Sequence, residues 1–173
     1  KDIRENGLKF RQYRLHTKLV LITSLCLVVF PTLFFFFVEF SRPEWASLTL
    51  GERFWASLFQ TVTPRTAGFN SVDLTLLQGT SVLILTLLML IGGSPGSTAG
   101  GFKTTSLSVA FLCVFSVFRK KSGVGGFHRR VSSDTVRDAV TILTLYAVLF
   151  FLASIAICCI DSVTMEESLF ECA

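Results

Sequence analysis

Metal-binding and disulfide patterns are missing from this chain. Its two histidines are His16 and His128, and its five cysteines are Cys26, Cys113, Cys158, Cys159 and Cys172. No CxxC spacing occurs, no histidine is near a cysteine, and the first four cysteines fall in apolar segments. Neither a metal site nor a disulfide framework is therefore predicted. Both histidines sit in basic segments and read as solvated. A secretory signal is also missing: the first apolar run is too long, lacks a small-residue cleavage site and follows eighteen largely polar residues. The chain has no starting Met and stops within SLFECA, so it is expected to be a piece of a longer protein. The largest deficit is of charge inside long stretches, and that deficit sets the class.

The chain has 173 residues, 51% of them hydrophobic, with 18 Phe. Its mean hydropathy of +0.62 is too high for an ordinary soluble domain. Residues 19–38, LVLITSLCLVVFPTLFFFFV, carry no charge. At about 1.5 Å per residue such a run spans a hydrocarbon core of roughly 30 Å. Residues 140–160, VTILTLYAVLFFLASIAICCI, form a second clean span. Pro31 is predicted to kink the first span, which membrane helices accept.

The net charge of +4 matters less than where the charges lie. Residues 1–18 hold Lys1, Arg4, Lys9, Arg11, Arg14 and Lys18, and residues 119–137 hold Arg119, Lys120, Lys121, Arg129, Arg130 and Arg137. From Glu39 to Asp73, the acidic residues Glu39, Glu44, Glu52 and Asp73 accompany Arg42, Arg53 and Arg65. The tail after residue 160 has Asp161, Glu166, Glu167 and Glu171 and no Lys or Arg. The positive-inside rule puts the N-terminus and the 119–139 loop in the cytoplasm, and segment 39–73 and the tail outside. Basic clusters flanking spans are topology signals here, and no nucleic-acid partner is predicted.

That sidedness makes residues 74–118 cross an odd number of times. The simplest answer is one crossing built from two helical pieces. Between the pieces lies GGSPGSTAGG, residues 92–101. Gly and Pro disfavour a helix ladder. Unpaired backbone in lipid costs several kcal/mol per group, so such a segment belongs inside protein or beside a water-filled path. Broken membrane helices serve ion or substrate pathways.

A second signal lies in GERFWASLFQTVT, residues 51–63. Phe54, Trp55, Leu58, Phe59 and Val62 recur at helical spacing. From Glu52 the helix is about 18 Å long, half a bilayer, which fits a re-entrant helix or an interfacial one with a Trp anchor. Pro64, Arg65, Thr66, Ala67, Gly68, Phe69 and Asn70 follow, and Pro and Gly impose an extended turn. A half-helix aiming its C-terminal end at the midplane favours a cation there. An extended run with Gly can line up carbonyl oxygens that replace an ion's water.

TPRTAGFN after an apolar half-helix, followed by IGGSPGSTAGGFKTT, resembles the TrkH/KtrB superfamily of potassium-translocating subunits. The resemblance covers nearly the whole chain. It implies an all-α integral membrane fold made of potassium-channel-like units: outer helix, pore helix with filter, and broken inner helix. Residues 19–118 resemble the third of four fused units, and 140–173 the outer helix and pore-helix start of the next. The filter strand is then Thr66, Ala67, Gly68 and Phe69, binding K+ through backbone carbonyls, with Arg65 and Asn70 as support. Sodium-permeable relatives carry Ser in place of the filter Gly in one unit, whereas this chain has Gly68. The gating loop is Gly92, Gly93, Ser94, Pro95, Gly96, Ser97, Thr98, Ala99, Gly100 and Gly101, followed by Lys103. Lys103 either repels cations while the loop is closed or snorkels to the cytoplasmic surface. GSTAGGFKT is not a phosphate-binding loop, because Phe102 separates Gly from Lys and no strand precedes it.

The predicted function is part of a potassium uptake channel in the plasma (inner) membrane, not an enzyme. It needs no cofactor, and K+ is its transported ion. Implied partners are the lipid bilayer, the remaining units of the same polypeptide, a second copy in a homodimer, and a cytosolic nucleotide-binding regulatory subunit. The alternatives are a secondary transporter of another fold with a broken substrate-binding helix, and a non-transporting membrane scaffold.

Overall fold

The computed structural model describes residues 13–65, 67–120, 124–126 and 129–173. Thr66, His128 and the basic residues Lys1, Arg4, Lys9, Arg11 and Lys121 lie outside them. The regular secondary structure of the described residues is helical apart from a two-residue antiparallel pairing in the basic loop, β1 (Gly125–Gly126) with β2 (Arg129–Arg130).

The first long helix, α1, runs Leu15–Phe34 and continues as a widened turn, Phe35–Glu39. Pro31 lies inside it without ending it. The half-length helix α2 spans Leu50–Val62, starting two residues before the expected Glu52. Thr49 explains the earlier start. Its hydroxyl accepts from the Glu52 N–H while the Glu52 carboxylate accepts from the Thr49 N–H, a reciprocal cap that satisfies two orphan donors.

The third apolar stretch does break in two. α3 covers Gly79–Leu90 and α4 covers Thr104–Phe118. At 1.5 Å per residue they are about 18 and 22 Å long, so each is about half a crossing or a little more. The next helix, α5 (Ser133–Asp161), is 29 residues long. Ser132 caps its N-terminus by accepting from the Thr135 N–H. Ser162, with φ +53, stops it in the left-handed region. The chain then turns back into the short α6 (Met165–Cys172), which repeats the reciprocal cap with Thr164 and Glu167. The α6 start folds onto α5 and α3: the Ser168 hydroxyl donates to the Ser154 carbonyl, and Phe170 packs on the core.

That core is Phe35, Phe40, Trp45, Leu77 and Leu85. It joins the end of α1 to the start of α3 around one buried carboxylate. Glu39 is fully buried, and its oxygens accept from Arg42 Nη1 (2.9 Å), Trp45 Nε1 (3.1 Å), the Gln78 N–H (3.4 Å) and Ser81 Oγ (2.5 Å). A buried charge persists only when paired and hydrogen-bonded. Here it also caps α3, whose N-cap Gln78 makes no side-chain cap bond. Glu39→Ala in the full-length protein is expected to cost about 3 kcal/mol, because buried donors lose their acceptor. Thermal unfolding in detergent measures the loss, and Glu39→Gln, which keeps an acceptor and the volume, should lose less.

Candidate functional site

Two excursions of the chain meet near the middle of the molecule. The first is the turn after α2. Pro64 ends the helix, and the Ala67 and Gly68 N–H groups donate back to the Thr63 carbonyl (3.0 and 3.1 Å). The Thr63 hydroxyl donates to the Phe69 carbonyl (2.5 Å) and accepts from the Phe69 N–H (3.0 Å). A single threonine side chain therefore sets the path of the strand that follows the half-helix. Gly68 has φ +71, the left-handed region glycine enters without steric cost. A Cβ there would meet nothing within 4 Å, so the glycine answers a backbone need and not a crowded one. The turn backs onto Leu85 and Met89 of α3 and Phe170 of α6, which share a small cleft with Gln60, Gly68, Phe69 and Asn70. Asn70 itself is exposed.

The second excursion is the break between α3 and α4. It is wider than 92–101, because Ile91 and Phe102 also leave helical geometry. The Gly92 N–H donates to the Phe102 carbonyl (3.1 Å), the Phe102 N–H to Leu90 (3.1 Å), and the Thr104 N–H to Gly93 (3.3 Å). These bonds close the loop into a narrow neck. At Gly92 a Cβ would lie 1.6 Å from the Gly100 carbonyl oxygen, so only glycine fits. A Cβ on Gly101, at φ +67, would lie 2.6 Å from the Leu90 carbonyl oxygen. Beyond the neck the tip is a four-residue turn. The Ser97 N–H donates to Ser94 (3.0 Å), with Pro95 and Gly96 central and Gly96 at φ +85, the arrangement of a type II turn. The tip residues Pro95, Gly96, Ser97 and Thr98 are exposed, while Gly92 is buried.

Lys103 reaches neither into open space nor away along α4. Its ammonium donates to the Ala99 carbonyl (2.7 Å) and the Ser97 carbonyl (3.3 Å), folding back onto the tip. Arg65 reaches the neck: its Nη2 donates to the Gly92 carbonyl at 3.4 Å. Of the residues singled out in the filter turn, Arg65 touches the loop, Gly68, Phe69 and Asn70 share the cleft beside α3 and α6, and Thr66 lies outside the described residues.

Sequence reasoning passed over Glu39 and Thr63. Glu39 counts as one acid among four in an outer segment, and its partners at 42, 45, 78 and 81 are recognised only in three dimensions. Thr63 was read as a helix end. A short repeat was available as a signal: Ser57-Leu58-Phe59 on α2 and Ser168-Leu169-Phe170 on α6. Both serines are fully buried and donate to backbone carbonyls, Ser57 to Arg53 (2.6 Å) and Ser168 to Ser154. Outside the apolar segments, Asp73 accepts from the Thr75 hydroxyl and N–H, and these bonds hold its carboxyl below the usual carboxylate range. That contribution is present above the ordinary Asp pKa and is lost as the pH falls through the lowered one.

Comparison with known proteins bears on this geometry. The family model named TrkH, described as a cation transport protein, matches residues 10–172. The chain is 34% identical over 163 residues to the Ktr system potassium uptake protein B of Vibrio alginolyticus, covering 94% of this chain and 36% of that protein. It is 33% identical over 171 residues to the protein of the same name from Bacillus subtilis, covering 98% and 38%. It is also 33% identical over 149 residues to the potassium/sodium uptake protein NtpJ of Enterococcus hirae, covering 86% and 32%. The chain therefore spans about a third of the length of these relatives.

Proposed function

We propose that this chain, which belongs to the TrkH family of cation transport proteins, is the part of a potassium uptake subunit that carries one filter strand and the gate beneath it. The observation that carries the reading is the pairing of a half-length helix ending in a glycine turn with a neighbouring broken helix whose loop touches that turn. In this reading the backbone carbonyls of residues 66–69 bind dehydrated K+. The Phe69 carbonyl already accepts from Thr63, but a carbonyl oxygen has two lone pairs, which leaves one for an ion.

Residues 92–101 with Lys103 act as the gate. Lys103 places a positive charge on the loop tip, where it stabilises the closed arrangement and repels a cation below the filter. The basic N-terminus and 119–139 loop face the cytoplasm. There the loop is on the correct side for a cytosolic nucleotide-binding regulatory subunit, and the whole subunit pairs as a homodimer.

One strand supplies about a quarter of a carbonyl cage in such a channel. The exposed apolar faces around Phe54, Trp55 and Phe59 on α2 fit the remaining units of the same polypeptide, with lipid against the outward faces of α1 and α5. The packing of α6 on α3 supports a ring in which each pore helix leans on the preceding unit's inner helix.

The test is flux into liposomes. The full-length protein is expected to pass K+, and the 173-residue piece alone is expected to pass none. Selective flux from the piece would mean that it self-assembles, contrary to the fused-unit reading. A carrier of another fold would instead retain transport after the filter turn is replaced.

A further inference from the structure

The filter turn and the intramembrane loop are separate excursions, and the Arg65–Gly92 bond crosses 27 residues of sequence to join them. The two ends of the loop are held differently. At the neck, both polar groups of Gly92 are engaged: its N–H by Phe102 and its carbonyl by Arg65. Contact with Gly100 leaves no room there even for a methyl group. At the tip, the carbonyls of Ser97 and Ala99 are held only by a flexible lysine among the described residues, and the turn itself is exposed. A lysine ammonium is a mobile point charge. A guanidinium is a planar fork set in one orientation, and at the neck its bond of 3.4 Å adds to backbone bonds that already fix the loop's ends.

We propose that Arg65 is a positioning residue that fastens the neck of the loop to the filter turn, so that filter and neck form one anchored body and opening is confined to the tip at 94–99. The proposal rests on the gate reading above and deepens it. It makes Arg65 part of the gate as well as a support of the filter. It also divides the loop into a fixed part held by arginine and a moving part latched by lysine. Releasing Arg65 leaves the neck's own backbone bonds in place but unties the neck from the filter turn, so the loop as a whole no longer returns to one position beside the filter, and the filter turn loses a brace. Maximal flux and the K+ concentration at half-maximal flux should therefore change together.

The experiment uses the full-length protein in liposomes, in four forms: wild type, Arg65→Gln, deletion of 94–99, and both changes together. Flux is normalised to correctly folded protein measured by gel filtration. Arg65→Gln is expected to raise maximal flux roughly tenfold without the regulatory partner, the scale of one lost charged hydrogen bond, and to shift half-saturation. In the deletion background the same substitution is expected to shift half-saturation but add no further rise in flux. An equal rise in both backgrounds, or no rise in the intact protein, overturns the coupling. A folded deletion protein with unchanged flux overturns the gate reading itself, and the two failures are thereby distinguished. Should Arg65→Gln misfold, Arg65→Lys replaces it, keeping the charge without the fork. It is expected to change both parameters in the same direction, and wild-type values for both overturn the proposal.

Discussion

Deleting residues 94–99 from the full-length protein is expected to raise K+ flux in the absence of any cytosolic partner. The deletion removes the exposed turn and both carbonyls that Lys103 holds, and leaves the neck glycines in place. Gly92 and Gly100 already touch, so the gap to be closed after excision is short. The bonds from Gly92 to Phe102 and from Phe102 to Leu90 survive, and the two half-helices keep their relation. The obstruction below the filter shrinks while the scaffold persists. If the closed loop limits flux by about 1.4 kcal/mol, removing it yields roughly tenfold. Small residues permit the two backbone arrangements that a gate requires. A loop that served only as a packing kink would respond differently: folded yield would fall, and flux with it. Flux measured beside the amount of folded protein separates the cases. Normal folding with unchanged or reduced flux counts against the gate.

Much of this architecture is visible along the chain because bilayer physics leaves few options. An uncharged run of twenty residues has the length of a membrane crossing, and a Gly/Ser/Pro run inside such a stretch breaks the helix. The type II turn at 94–97 follows from Pro95 and Gly96 in sequence. Element ends were less visible. The second long helix, α5, starts at Ser133 and not near residue 140, because hydropathy marks the apolar part while Ser132 marks the cap. The threonine–glutamate caps at 49/52 and 164/167 are legible as a spacing, and they place both short helices.

The contacts between segments were not legible. Arg65 in the sequence is one arginine after a proline, and nothing local says that Gly92 accepts its hydrogen bond. Lys103 posed a choice between the pore and the surface. The third outcome, a return to the loop's own carbonyls, depends on a tip conformation that only the fold supplies. Glu39 is the extreme case, because its four donors come from two separate stretches of chain.

Gly68→Ser is expected to lower the preference for K+ over Na+ in the full-length protein. The reason lies in the backbone. Gly68 sits at φ +71, and a residue with a Cβ in that region costs roughly 1–2 kcal/mol. Within this chain a Cβ at Gly68 meets open space, so the strain does not come from a local clash. The serine protein can relieve the strain only by changing φ at 68, that is by rotating the peptide between Ala67 and Gly68, which turns the Ala67 carbonyl away from its neighbours and disturbs the bond from the residue 68 N–H to the Thr63 carbonyl. The Phe69 end cannot follow freely, because Thr63 grips both its N–H and its carbonyl. Distortion therefore concentrates at Ala67 and Gly68, where carbonyl spacing matters most for a dehydrated ion. Crowding from the serine hydroxyl adds to this only where the other units close the cage. A carbonyl displaced at the cost of about 1.4 kcal/mol changes the permeability ratio roughly tenfold. The measurement is the K+/Na+ permeability ratio in liposomes with folded protein matched to wild type. Total flux of both ions can stay similar, because a looser cage admits the hydrated or smaller ion more readily. An unchanged ratio in well-folded protein removes Gly68 from the filter, and the left-handed turn after α2 then serves only to end the half-helix.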